Sequence, residues 1–255
     1  MKEHMTGTCL QELHQQPEGI LSSFIQETVS AFPRQIVSAA ATGSCLTGDY
    51  IHGKSDINSV IVVSEMTPEF LDLLASMGRR YGKKRLRAPL VMTPEYIRRS
   101  LDVFPVEFLD IKLIHKTIYG EDLFSDLAIS TSLLRLQCER DLKAKLIHLH
   151  QGYISCSGGG RGLRALLIEA YPGFFPLFRA MLSIVRPDKA PSLPKASVLA
   201  DIEASFGVSM EPLRETKALA MKSGFGLDWN TPKKIFTDLY RITHELSLAV
   251  DKLSS

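Results

Sequence analysis

The sequence predicts an α+β chain whose first half mixes strands with helices and whose second half is an all-α helical bundle. Two observations predict this. Up to about residue 118, apolar runs of strand length alternate with segments of helical spacing, whereas from Thr131 onward the apolar pattern repeats at helical intervals. At 255 residues, with 45% hydrophobic and 23% charged side chains, the chain is also long and apolar enough to bury a substantial core in one or two domains.

Ile20, Leu21, Phe24, Ile25 and Val29 fall near helical spacing, and Pro33 ends that helix because the residue before a proline avoids the α region. Residues 36–41 and 60–63 are short apolar runs separated by a glycine-containing loop and are expected as two buried strands. A helix is expected over 70–77, a short strand over 89–92, and a further strand over 106–111, where branched and aromatic residues concentrate. In the second half, Leu133, Leu136, Leu142, Leu146 and Leu149 mark an amphipathic helix over 131–153, introduced by Ser and Thr capping candidates. Gly158, Gly159 and Gly160 break the chain, and Pro172, Gly173 and Pro176 interrupt the apolar stretch 163–185. Shorter helices are expected near 195–205 and 210–222, and a last one from Thr231 with Pro232 in its first turn.

Thirty basic and 28 acidic residues nearly cancel, so no whole-protein field points to nucleic acid or a membrane, and any polyanion site must be local. Cys9, Cys45, Cys138 and Cys156 are scattered, with neither metal-ligand spacing nor a disulfide framework, which fits a reducing cytoplasm. The first twenty residues lack the apolar core of a signal peptide, and no later run is expected to span a membrane. The expected location is cytoplasmic.

The segment 41–63 reads ATGSCLTGDYIHGKSDINSVIVV and concentrates the chemistry. Glycine at a strand end lets backbone N–H groups approach phosphate oxygens, and a following serine adds a hydroxyl donor. Two side chains at i and i+2 on a strand share a face, so a carboxylate pair there can hold divalent metal ions against a triphosphate. Gly43, Ser44, Gly48, Ser55 and Asp56 stand in that pattern. The segment resembles the signature of the nucleotidyltransferase superfamily, the minimal and kanamycin-type enzymes among them.

The resemblance implies a nucleotidyltransferase-like mixed sheet with flanking helices over residues 1–122 and a helical bundle over 123–255. It implies phosphate binding by Gly43, Ser44 and Ser55, and Mg²⁺ held by Asp56, Asn58 and a third carboxylate on a later strand; Lys54, in the loop just before Ser55-Asp56, stands where a cation could meet a phosphate. Glu107 is favoured for that third place, as metal ligand or general base, with Asp110 its competitor; three apart on a strand, the two face opposite sides. Asn58 departs from the pattern, since it removes a charge where hard cations depend on carboxylates; Asp49 is one candidate to compensate.

Two functions follow. One is a metal-dependent nucleotidyltransferase that moves a nucleoside monophosphate from a nucleoside triphosphate to a hydroxyl of a small molecule or protein. The alternative is a catalytically degenerate relative acting as a nucleotide-sensing or protein-interaction module, as a homo-oligomer or with a protein partner. Arg79, Arg80, Lys83, Lys84, Arg85 and Arg87 form a local basic cluster, read as a solvated face ahead of a phosphate contact. Nucleic acid and membrane are not expected partners.

Overall fold

The computed structural model describes residues 13–157, 159–221 and 229–253, and these form two compact units that divide between Ile129 and Ser130. Cys9, Gly158, the start of the N-terminal segment and the end of the expected helix at 222 lie outside the described residues.

The first unit is built on a four-stranded mixed sheet. In chain order it contains α1 (Gln15–Ala31), β1 (Ile36–Thr42), β2 (Asn58–Val63), α2 (Pro68–Gly82), β3 (Leu90–Met92), α3 (Pro94–Ser100), α4 (Pro105–Leu113) and β4 (His115–Gly120). The strand order is β3-β2-β1-β4, with β1 antiparallel to both β2 and β4 and β2 parallel to β3. Ala40, Val60 and Val62 face Ile97, Phe108, Ile111 and Phe124 in one core, while α1 packs against β1 and α2. Side chains alternate across a strand, so one run of apolar residues serves both layers. Phe124 is buried in this core, with Leu123, Leu127 and Ile129 packed against it, so the first unit extends past residue 122.

One expected strand is a helix. Residues 106–111 were expected as β because of their branched and aromatic content, yet they lie within α4, which Pro105 opens. Pro105, Phe108 and Leu109 are buried together with Val106 and Ile111, leaving Glu107 exposed in the first turn and Asp110 half-buried. Proline at the first turn gives up no hydrogen bond, and the i, i+3, i+4 spacing then buries one side of the helix. Glu107 and Asp110, three apart on a helix, are neighbours on its surface rather than on opposite sides of a sheet. The fourth strand, at His115–Gly120, comes just after.

The second unit comprises α5 (Thr131–Ser155), α6 (Gly160–Ala170), α7 (Phe175–Val185), α8 (Lys195–Phe206), α9 (Glu211–Met221) and α10 (Asn230–Asp251). α5 packs on α10 and α7, and α6 on α9 and α10, with Phe174, Phe175 and Phe178 buried. Residues 160–185 prove apolar and long enough to cross a membrane by length and composition, contrary to expectation. The 3-10 turn Pro172–Phe174 breaks the stretch into two helices, and half of it is buried within the protein.

β4 is closed by a polar link between buried His115 and exposed Asp122. His115 Nε2 lies 3.0 Å from Asp122 Oδ1, which also accepts the N–H groups of Phe124 and Ser125, while Oδ2 accepts the Ser125 hydroxyl. Burial alone would raise the Asp122 pKa, but the Ser125 hydroxyl, these two N–H groups and His115 hold it well below the usual carboxylate range. A depressed folded pKa stabilises above the unfolded value and is lost as pH falls below it. Asp122→Ala is expected to cost about 1 kcal/mol at neutral pH, with the gap to wild type closing on acidification below about pH 4. Urea unfolding of both proteins across that range checks it.

Candidate functional site

The motif residues gather at the end of the sheet where β1 leaves and β2 enters. Thr42 pairs with Asn58, so the Gly43 turn sits directly beside the first residue of β2. Gly43 has φ +77°, a left-handed conformation that side-chain-bearing residues resist, and a Cβ there would stand 3.2 Å from Asn58 Nδ2. The chain then makes a 3-10 turn, Gly43–Leu46, in which the Ser44 carbonyl accepts the Thr47 N–H at 3.2 Å. Cys45 is buried beneath, its thiol 3.3 Å from the Thr42 carbonyl, and burial pushes its pKa up to about 11, which leaves no reactive thiolate. The glycine thus brings backbone close to the face on which Asn58 is exposed.

The loop that follows is closed by its own polar groups. Ser55 Oγ accepts the Ile51 N–H at 2.9 Å, so its oxygen secures the loop, while Lys54 is exposed. The Thr47 hydroxyl donates to Asp49 Oδ2 at 3.2 Å, which holds Asp49 against its own turn.

Asp56 is where the structure adds most. Ile57 forms a parallel bridge to Leu86, with Ile57 N–H donating to the Arg85 carbonyl and Arg87 N–H to the Ile57 carbonyl, both at 2.9 Å. Ile57 and Leu86 are buried, so Asp56 and Asn58 flank one and Arg85 and Arg87 flank the other on the same outer face. Arg87 Nε donates to Asp56 Oδ2 at 2.8 Å and its Nη2 lies 2.7 Å from the same oxygen. Arg85 Nη2 lies 3.4 Å from Asp56 Oδ1. Both carboxylate oxygens therefore face guanidinium groups. Arg85 holds φ +64°, unusual for a residue with a Cβ, and is fixed there by donating from Nε to the Ser55 carbonyl at 3.3 Å and from Nη2 to the Lys54 carbonyl. Elsewhere in the basic cluster, Arg80 pairs with Glu27, and Lys84 lies over the Tyr81 ring.

These residues do not fit a divalent cation. Such an ion takes several oxygen ligands and depends on carboxylate charge, whereas one carboxylate, one neutral amide and two guanidinium groups meet here. A doubly charged ion at Asp56 would meet like charge a few ångströms away. Glu107, expected to complete the set from a strand, is on α4 instead. Among the described residues, no group of three His, Cys, Asp or Glu side chains is arranged to hold a metal. The sequence signal for the arginines was their spacing, since Arg85-x-Arg87 has the same i, i+2 pattern as Asp56-x-Asn58.

Gly43→Ala is expected to lower stability by about 1 kcal/mol through its left-handed φ and the contact with Asn58. A control glycine in open helix, Gly78→Ala, is expected to change stability in the opposite direction by a similar amount. Chemical unfolding of the two variants checks the pair.

No family model matches the chain, and no curated protein does. Among solved structures, the chain is similar to spectinomycin adenyltransferase AAD(9) from Enterococcus faecialis, solved with ATP and spectinomycin. The TM-score is 0.53 at 12% sequence identity, over 90% of this chain and 98% of that one. The fold of this chain is nucleotidyltransferase-like.

Proposed function

We propose that the protein binds a nucleoside triphosphate beside the Gly43–Ser44 turn and acts as a catalytically degenerate nucleotidyltransferase-like module, for nucleotide sensing or for contact with a protein partner. The observation that carries this reading is the pairing of Asp56 with Arg85 and Arg87. Where a nucleotidyltransferase needs carboxylates to gather metal, this face offers one carboxylate and two cations. Guanidinium groups form strong charge-assisted bonds to phosphate, so they supply the positive charge a triphosphate needs, while the second carboxylate that would gather metal is replaced by Asn58. Gly43 and Ser44 would approach the phosphates from the turn, with Lys54 and Ser55 on the adjoining loop.

A second reading is favoured by a separate observation, the likeness in fold to an adenyltransferase solved with ATP and spectinomycin. On that reading the protein moves a nucleoside monophosphate to a hydroxyl of a small molecule or protein. Asp56, Asn58 and Glu107 would then have to rearrange around Mg²⁺.

Calorimetric titration with ATP and GTP, with and without Mg²⁺, separates the two when combined with a pyrophosphate-release assay that uses spectinomycin as trial acceptor. The proposal predicts binding without Mg²⁺, altered less than about threefold by its addition, and no pyrophosphate from wild type or from Asn58→Asp. Binding that requires Mg²⁺, or pyrophosphate release from wild type, contradicts it in favour of transfer. Absence of nucleotide binding under every condition contradicts the nucleotide part outright.

A further inference from the structure

An open groove of about 570 Å³ runs between α1, α2 and the 85–91 segment, a size ordinary for a small-molecule site. Its floor is apolar and buried, formed by Phe24, Tyr81 and Leu86, and Leu71, Leu74 and Val91 line its sides. The helix α2 presents Gly78 and Gly82 to it, and a Cβ at either position would meet nothing within 4 Å, so the groove is open there for lack of side chains. The charged side chains lining it are Asp56, Arg85 and Arg87. Two guanidinium groups against one carboxylate leave a net positive charge at that end.

We propose that this groove binds a small molecule with an apolar body and one anionic headgroup, the body lying along the Gly78 and Gly82 side of α2 and the headgroup on Arg85 and Arg87. Charge complementarity selects the occupant. An anion on the arginines balances the charge that Asp56 leaves over, while the apolar floor excludes a fully solvated ion as the whole ligand. Arg87 is 69% exposed and Asp56 32%, so their pairing lies in solvent and is weak enough for a second anion to share or displace. The site uses nothing of the Gly43–Ser44 turn but shares Arg85 and Arg87 with the proposed nucleotide contact, so an anion in the groove and a triphosphate compete for the same two cations.

Fluorescence titration of the full chain with 8-anilinonaphthalene-1-sulfonate, an aromatic anion, tests this, with decanoate and decylamine as competitors. Saturable binding at one site is expected, displaced by decanoate and not by decylamine at equal concentration. Gly78→Leu fills the groove at a position with open space, and Arg87→Ala removes one exposed guanidinium; each is expected to weaken the probe by about tenfold or more. Arg87→Ala, at a surface side chain, keeps the test valid if Gly78→Leu fails to fold, and circular dichroism of both variants monitors that. Absence of saturable binding, equal displacement by decylamine, or unchanged affinity in the folded variants overturns the proposal.

Discussion

The parallel bridge between Ile57 and Leu86 is the constraint on which both sites depend. Two buried apolar side chains pair at the entrance to the sheet, and the pleat then turns their neighbours outward together. Asp56 is thereby set against Arg85 and Arg87, and Asn58 is left beside the Gly43 turn. Had the bridge formed one residue out of register, the arginines would face the core, where unpaired charge is not tolerated. The local charge of the site is thus a consequence of sheet register.

The same few residues join two surfaces with different chemistry. On one side the Gly43 turn exposes backbone next to Asn58. On the other side an apolar groove ends on the arginines. Asp56 lies between, and its exposed ion pairs hold it only weakly, at about 1 kcal/mol or less each. The left-handed Arg85 is fastened to the carbonyls of Lys54 and Ser55, so the loop before Asp56 and the segment after α2 are mechanically one piece.

Much of this was legible in the sequence, and the failures have physical causes. The two strands around the 41–63 segment were readable because apolar runs bounded by glycine have few alternatives, and Gly43, Asp56 and Asn58 fall at the strand ends where the spacing put them. The segment 106–111 was misread because a short run rich in Val, Phe, Leu and Ile suits a strand or a buried helix equally, and only the packing of Phe108 and Ile111 under the sheet decides. Glu107 lost its expected place with that strand. Arg85 and Arg87 read as members of a basic patch, since nothing local shows that a segment thirty residues downstream pairs with Ile57. Long-range register, not residue chemistry, was the missing information.

The most direct test of the account is the affinity of Asp56→Asn for ATP, measured by calorimetry without divalent ions and again with Mg²⁺. If Asp56 serves to occupy the arginines, removing its charge frees them for phosphate, and binding is predicted to hold or tighten in both conditions. Loss of a Mg²⁺-dependent affinity in Asp56→Asn that wild type displays would contradict the account and make Asp56 a metal ligand.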